Sequence, residues 1–426
     1  MIQQVIKARN SLSDFRKNRE QLKRFTFGRQ SDETDPKTGR PVLTNNLINQ
    51  LVKTLVGHFR ETMGQANPAD HNRLNELDAR TLEEFLISGA AIQRISRERR
   101  PGFDRAMTWV DNVSPADFFA YPLRDPRGID VEIVGMTHHW SVAEAIGRFA
   151  DGDRQKARQI RQTLLAMPEC IADSPGFERC SIIEIWNRQI VELYRCHDRN
   201  EAKIFLVTEA QLPEIAQKNR EYKRKNQPKI QIKMELQTRW VGHFLSSSGM
   251  ELHRIVADNH PFALKFYPLL DGEIHSFVAG LIDQQIFVNR LINLIDNIMS
   301  TSAKGVLLFP QDEIAYGMDW DDIAERWGRF DGIIPYLPRP GSPGPHQVVS
   351  NPSNCGAYEL LNIQMKFFDR ISGVSNALRG NAEGGNSAQL YDAQTRNSLA
   401  AISDIFNSFR DFLLARNNII EKKETT

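Results

Sequence analysis

The densest chemistry in this 426-residue chain is cationic: Lys218, Arg220, Lys223, Arg224, Lys225, Lys229 and Lys233 fall in one short stretch. Ammonium and guanidinium groups packed this closely neutralise phosphates by releasing condensed counterions. Glu214, Glu221 and Glu235 interleave with them, so a solvated face is the competing expectation. Catalytic chemistry is sparse. The chain has no G-x-x-x-x-G-K-[ST] phosphate loop, H-E-x-x-H, G-x-S-x-G or G-x-G-x-x-G. His138 and His139 invite a metal, but neighbours on a strand point to opposite faces, which favours a satisfied surface pair. The acids of Gln311-Asp312-Glu313 and Asp321-Asp322 suit helix N-termini at least as well as a cation. Gly384-Gly385 has no following lysine and reads as a hinge.

Composition narrows the classes further. Lys+Arg of 54 against Asp+Glu of 53 gives a net charge of +1, so nucleic-acid contact must come from local clusters, and a tight sequence-specific binder is disfavoured. Cys170, Cys180, Cys196 and Cys355 form no C-x-x-C pair and no metal spacing with histidine, which speaks against zinc and disulfide frameworks. A reducing cytoplasm is the expected birthplace. No signal peptide and no run of 18 apolar residues is present, so neither secretion nor membrane crossing is expected.

The elements that must position these residues alternate in period. Residues 1–26 predict a basic amphipathic helix, 31–40 a loop, and Thr44 to about Thr62 a capped helix. A helix at 76–90 precedes strand-like pieces at 91–95, 106–113 and 130–137. Helices near 141–150 and 152–166 lead to strands at 181–195 and 202–208. Residues 209–226 are helical by pattern and end before Pro228. Ile230, Ile232, Met234 and Leu236 then alternate with polar residues, and 240–245 with 252–256 predict a hairpin around Ser246 to Gly249.

The most regular segment follows Gly272. Ile274, Val278, Leu281, Gln285, Val288, Ile292, Ile295 and Met299 form a heptad stripe, and Phe277, Phe287, Leu291, Leu294 and Ile298 a second. As a helix from Ile274 to Ser302 this segment would extend roughly 43 Å. Two apolar stripes require two neighbours, either both inside one helical monomer or one in another copy. A strand at 305–309, a short helix at 320–330 and a proline-rich extended segment from Pro335 follow. Helical pattern resumes at 357–371, breaks at Gly373 and 380–386, and returns from Ser387 to about Asn418, leaving a solvated tail.

Four stretches in this order resemble the portal family of tailed double-stranded DNA bacteriophages: NLINQLVKTLVG at 46–57, VSPADFFAYP at 113–122 leading into Asp125-Pro126, GLIDQQIFVNR at 280–290, and RISGVS at 370–375 before the glycine-rich 380–385 and the helix opening at Ser387. The resemblance spans most of the chain. It implies a predominantly helical α+β fold in which 1–207 are N-terminal helices and wing, 208–228 a first stem helix, and 229–271 a small clip. It further implies a second stem helix at 272–303, a wing return at 304–380 with a tunnel loop at 335–354, and a C-terminal helix and short tail at 381–426, with the crown reduced.

The function so implied is structural and cofactor-free. Twelve copies would form a ring at one capsid vertex of the virion, assembled in the host bacterial cytoplasm, as the channel for genome packaging and ejection. Partners implied are double-stranded DNA without sequence specificity, major capsid and scaffolding proteins, the large terminase and head-tail adaptors, with no membrane. Ile274, Phe277, Val278, Leu281, Phe287, Val288, Leu291, Ile292 and Ile295 become ring-interface candidates, since a ring needs a head-to-tail interface that closes. Pro338, Arg339, Pro340, His346, Gln347 and Asn351 become tunnel-loop candidates, and the basic cluster a contact for DNA, motor or adaptor. The other classes are a different phage adaptor or scaffold, lacking the order of helix, small β insert and long helix, and a metal-dependent nucleic-acid enzyme.

Overall fold

The computed structural model describes residues 1–31, 42–63, 70–150, 152–166, 171–172, 178–304, 306–329, 332–348, 356–374, 393, 396–397 and 400–425. The expected loop at 31–40, the glycine-rich 380–386, Asn351, Cys170 and Cys355 fall wholly or almost wholly outside them. The chain divides into two units: Met1–Lys23, Val52–Ala279 and Ser403–Thr426 form the first, and Arg24–Leu51 with Gly280–Ile402 the second. The mixture of helix and sheet agrees with the α+β expectation.

The first unit begins with α1 (Ile2–Ser11) and α2 (Ser13–Thr26) and includes most of α3 (Leu47–Met63), then α4 (Leu74–Ser88). Strands β1 (Ala90–Glu98), β2 (Met107–Asn112), β3 (Phe118–Tyr121) and β4 (Ile133–Ser141) precede helices α5 (Val142–Phe149) and α6 (Arg154–Leu165). Next come β5 (Ile171–Ala172), β6 (Glu178–Asp198), β7 (Lys203–Val207), α7 (Leu212–Arg224), β8 (Gln231–Ser246), β9 (Glu251–Ala257) and β10 (Phe262–Phe266). The short strands β11 (Leu269–Leu270) and β12 (Glu273–Ile274) close the run, and α11 (Ser403–Thr425) completes the unit.

One antiparallel sheet has the order β10-β1-β2; the other runs β3-β4-β6-β8-β9, with β5 and β7 also on β6. The hairpin expected around Ser246 is present, but its first strand is far longer than the pattern indicated. β8 pairs with β6 from Ile182↔Ser246 to His197↔Gln231. The near halves of both strands are covered on two faces, and so they read as nearly continuous apolar runs rather than alternations. Helices α5 and α6 bury Ile182 and Phe244 with Val142, Phe149, Ile160 and Leu164. Helix α1 covers Ile185 and Leu245 through Val5 and Ala8. On the far halves, α7 sets Ile215 and Tyr222 against Cys196, Val207 and Ile230.

The strand β10 escapes a period-based reading because it is buried at every position. Its Phe262 and Phe266 join Phe118, Trp186 and Trp240 in the principal core. On the β10-β1-β2 sheet, α4 ends at Gly89, where φ is +79° and an added Cβ would stand 1.8 Å from the His275 carbonyl oxygen. Both the left-handed backbone and the absent side chain are required there. Gly89→Ala should therefore lower stability by about 2 kcal/mol or more, read as a fall in the urea midpoint at unchanged slope.

In the second unit, α8 spans Ile282–Lys304, 23 residues and roughly 35 Å. The expected start at Ile274 is corrected: Ile274 pairs with Leu269 in the β11-β12 ladder, and a 3-10 turn at Ala279–Leu281 precedes the helix. The heptad spacing thus runs through a short strand and a 3-10 turn before the helix begins. The unit continues with β13 (Val306–Leu308), α9 (Trp320–Gly328), β14 (His346–Val348) and α10 (Ala357–Ser372), and β13 pairs with β14. Asp319 caps α9 in a reciprocal box with Asp322, the helix-start role expected of these acids.

The stripe on α8 is not wholly apolar. Gln285, Asn289 and Asn293, one helical turn apart, hold the segment before α3. Leu43 N–H donates to Asn293 Oδ1 at 2.9 Å, Asn45 N–H to Asn289 Oδ1 at 3.0 Å, and Leu47 N–H to Gln285 Oε1 at 2.9 Å. Gln285 thereby satisfies first-turn amides of α3 that no helix can satisfy for itself. Thr44 is not the cap expected from sequence; Asn46 is, its Oδ1 accepting the Asn49 amide at 3.1 Å.

Candidate assembly and anion-binding surfaces

The cationic cluster lies on the last turns of α7 and the start of β8. Lys218 is structural: its Nζ stands 2.7 Å from Glu201 and 3.2 Å from Asp198, and those carboxylates with the Tyr222 hydroxyl hold the ammonium above its ordinary pKa. Arg220, Lys223, Arg224, Lys225, Lys229 and Lys233 are exposed. None of them has a carboxylate partner among the described residues. Lys223 and Arg224 also complement the C-terminal end of the α7 dipole. What remains is a patch of mobile positive charge suited to a polyanion or an acidic surface.

Of the tunnel-loop candidates, Pro338, Arg339 and Pro340 are exposed, and Arg339 pairs with Asp312 at 3.4 Å. His346 and Gln347 lie in β14, opposite Leu308 and Leu307. The ring-interface candidates separate. Val278, Leu281, Val288, Leu291 and Ile295 are buried within the chain, Ile274, Phe277 and Ile292 partly so, and Phe287 is 39% exposed. Leu294, two turns on, shares its side of α8, and Met299 is exposed near the helix end. Sequence pattern missed the larger surface. On α10, Leu360, Ile363, Phe367 and Ile371 recur at helical spacing and are exposed by 39, 41, 40 and 52%. The 357–371 periodicity signalled a helix, but not which stripe its own chain would cover.

Contacts between distant residues form two further polar centres that have no local signal. Glu184 is fully buried and accepts from Arg94 Nε at 2.7 Å, His138 Nε2 at 2.6 Å and Trp186 Nε1 at 2.8 Å. His138 and His139 do face opposite ways, but the expected surface pair is corrected: His138 is 7% exposed and bound to Glu184, while His139 stays outside near Asp117. The second centre is the buried pair of Arg416 and Asp78, 2.7 Å apart, with Gln93 donating to the same carboxylate. Among the described residues no group of three or more His, Cys, Asp or Glu is placed to hold a metal ion.

Glu184 and His138, with the buried His260, set the acid limit of the fold. Burial pushes the Glu184 carboxyl up, but Arg94 and His138 together outweigh it and hold the pKa at about 2, below its ordinary 4.5. Burial, then the Arg188 guanidinium, pushes His260 down to about 4, and burial also lowers His138. As pH falls below 6.5 the unfolded chain binds protons that these neutral imidazoles refuse, so stability is lost from pH 6.5 towards 4. Glu184 adds its loss between pH 4.5 and 2. Urea midpoints should fall steadily from pH 7 to 4.5, and His260→Phe should flatten that slope if the protein still folds; an unchanged slope would refute the assignment.

An exposed apolar helix stripe in the second unit and a cluster of unpaired cations in the first are features of a protein that other macromolecules cover. A family profile described as Phage P22-like portal protein matches residues 3–420, and the chain belongs to that family of bacteriophage structural proteins, components of the virion capsid. No curated protein matches the chain. No helix among the described residues is long and apolar enough to cross a membrane.

Proposed function

We propose that copies of this chain close into a ring, twelve in number, at one capsid vertex, and that the ring is the channel through which double-stranded DNA enters and leaves. The observation that carries the reading is the exposed apolar stripe of Leu360, Ile363, Phe367 and Ile371 on α10, with Phe287, Leu294 and Met299 on α8. An interface of this kind closes a ring when each copy offers one stripe to its neighbour's other surface. Near-zero net charge favours a channel that does not hold DNA by dense phosphate pairing.

The structure favours a different division of stem and clip from the one expected. Helix α7, expected as the first stem helix, is bound to the far end of β6 and β7, and residues 231–257 are strands of the main sheet. Helices α8 and α10 instead pack on one another, with the Tyr358 hydroxyl 3.0 Å from Met299 Sδ, so the chain turns back through a small β insert between them. We therefore assign α8 and α10 as the stem pair and 305–356 as the clip, which puts Pro338, Arg339, Pro340, His346 and Gln347 in the clip rather than in a tunnel loop. The six free cations of α7 and β8 are assigned to docking of DNA, capsid, scaffolding, terminase or adaptor.

Negative-stain electron microscopy with mass photometry tests the assembly. Rings with a central channel, at about twelve times the 48.7 kDa subunit, are the expected result. A uniform dimer in the presence of scaffolding and capsid proteins would overturn it.

A further inference from the structure

A cavity of about 980 Å³ lies in the first unit among the last turns of α11, Arg97 of β1 and the outer parts of β6 to β9. Leu193, Leu206, Val256 and Ile419 form its apolar walls, and Arg97, Arg239, Lys422 and Lys423 bring positive charge to it. Asp258 neutralises Arg239. Arg97 donates one N–H to the Lys423 carbonyl at 2.7 Å, which fixes the guanidinium beside the helix end. Neither Arg97 nor the Lys423 ammonium has a carboxylate at ion-pair distance among the described residues. Partial burial, then the Arg94 guanidinium, hold Lys423 below its ordinary pKa against the weaker opposing pull of Glu184.

Two unpaired cations lining one cavity match a dianion better than a single carboxylate, which would leave one of them uncompensated. The volume is that of a pocket for a small organic molecule, far larger than one ion needs, and the aliphatic walls offer a face to an apolar or aromatic group. We propose that this cavity binds a phosphate monoester carried on an apolar or aromatic body of nucleotide size. The phosphate would sit between Arg97 and Lys423, where charge-assisted hydrogen bonds are strongest. The rest of the ligand would lie against Leu206, Val256 and Ile419. The inference does not depend on ring assembly.

Calorimetric titration of the full chain with adenosine monophosphate, at fixed ionic strength, is the test. Adenosine and inorganic phosphate serve as the two halves of the probe, and a blunt duplex without terminal phosphates as the nucleic-acid control. Saturable binding of the monophosphate is expected, with each half at least about tenfold weaker. Arg97→Gln and Lys423→Gln should each weaken it about tenfold or more, while Lys17→Gln on α2, outside the cavity lining, leaves it unchanged. Both variants alter a strand-end and a final-turn side chain, and an unchanged melting temperature would show that each remains folded. Absence of binding at millimolar nucleotide, affinity in either glutamine variant unchanged from that of the unsubstituted chain, inorganic phosphate binding as tightly as the nucleotide, or binding of the duplex alone would each overturn the proposal.

Discussion

Arg416→Ala should cost about 3–5 kcal/mol of folding stability. Arg416 and Asp78 are 4% and 0% exposed, and both guanidinium nitrogens reach the carboxylate, at 2.7 and 3.1 Å. Burial already holds the Asp78 carboxyl above its ordinary pKa despite the guanidinium beside it. Removing the cation leaves that carboxylate buried with only the Gln93 amide as donor, and it must then protonate or draw in water. The loss should appear in denaturant midpoints and be larger at pH 8 than at pH 5, since protonation relieves the uncompensated charge. Asp78→Leu with Arg416→Met, which replaces both charges by apolar groups of similar reach, should recover most of the deficit. If Arg416→Ala alone costs under 1 kcal/mol, the pair does not anchor α11 as the geometry indicates.

The second large effect concerns assembly rather than folding. Ile363→Asp with Phe367→Asp should convert rings to monomers while leaving the melting temperature of the monomer within a few degrees. Both side chains are about 40% exposed in the single chain, so charge there costs the isolated fold little. In a closed ring the same positions would bury two carboxylates without partners on every subunit, repeated around the whole circle. Mass photometry separates the outcomes directly. Intact rings with both substitutions in place would show that α10 faces solvent or another partner, and the interface would have to be sought elsewhere. Lys223→Glu with Lys225→Glu, by contrast, should leave ring size untouched, because those residues serve docking in this assignment.

Much of the helix and strand order was legible from periodicity. The amphipathic stretches at 47–63, 74–88 and 357–372 pair local spacing with a clear polar side, and that is what forms them. Periodicity failed where burial is two-sided or interrupted. Phe262–Phe266 alternates with nothing because both faces are covered. The heptad from Ile274 continues through a short strand and a 3-10 turn because apolar spacing carries no information about where the backbone leaves the helical region. The final residues to Thr425, expected as a solvated tail, continue the helix, and Lys423 there is part-buried.

The sequence by itself determined the class of protein. Charge balance, the missing catalytic motifs, the order of periodic segments and four stretches of portal character are properties of the chain read in line. Only the tertiary structure decided which apolar stripe each long helix hides, because a stripe is buried by whatever packs on it and not by its own spacing. It alone made Gln285, Asn289 and Asn293 a ladder, brought Glu184 to Arg94 and His138, and set Asp78 on Arg416 across most of the chain's length. Each of those pairings joins residues far apart in sequence. Their free energy comes from removing charges and amides from water together, and that condition exists only after the chain has folded.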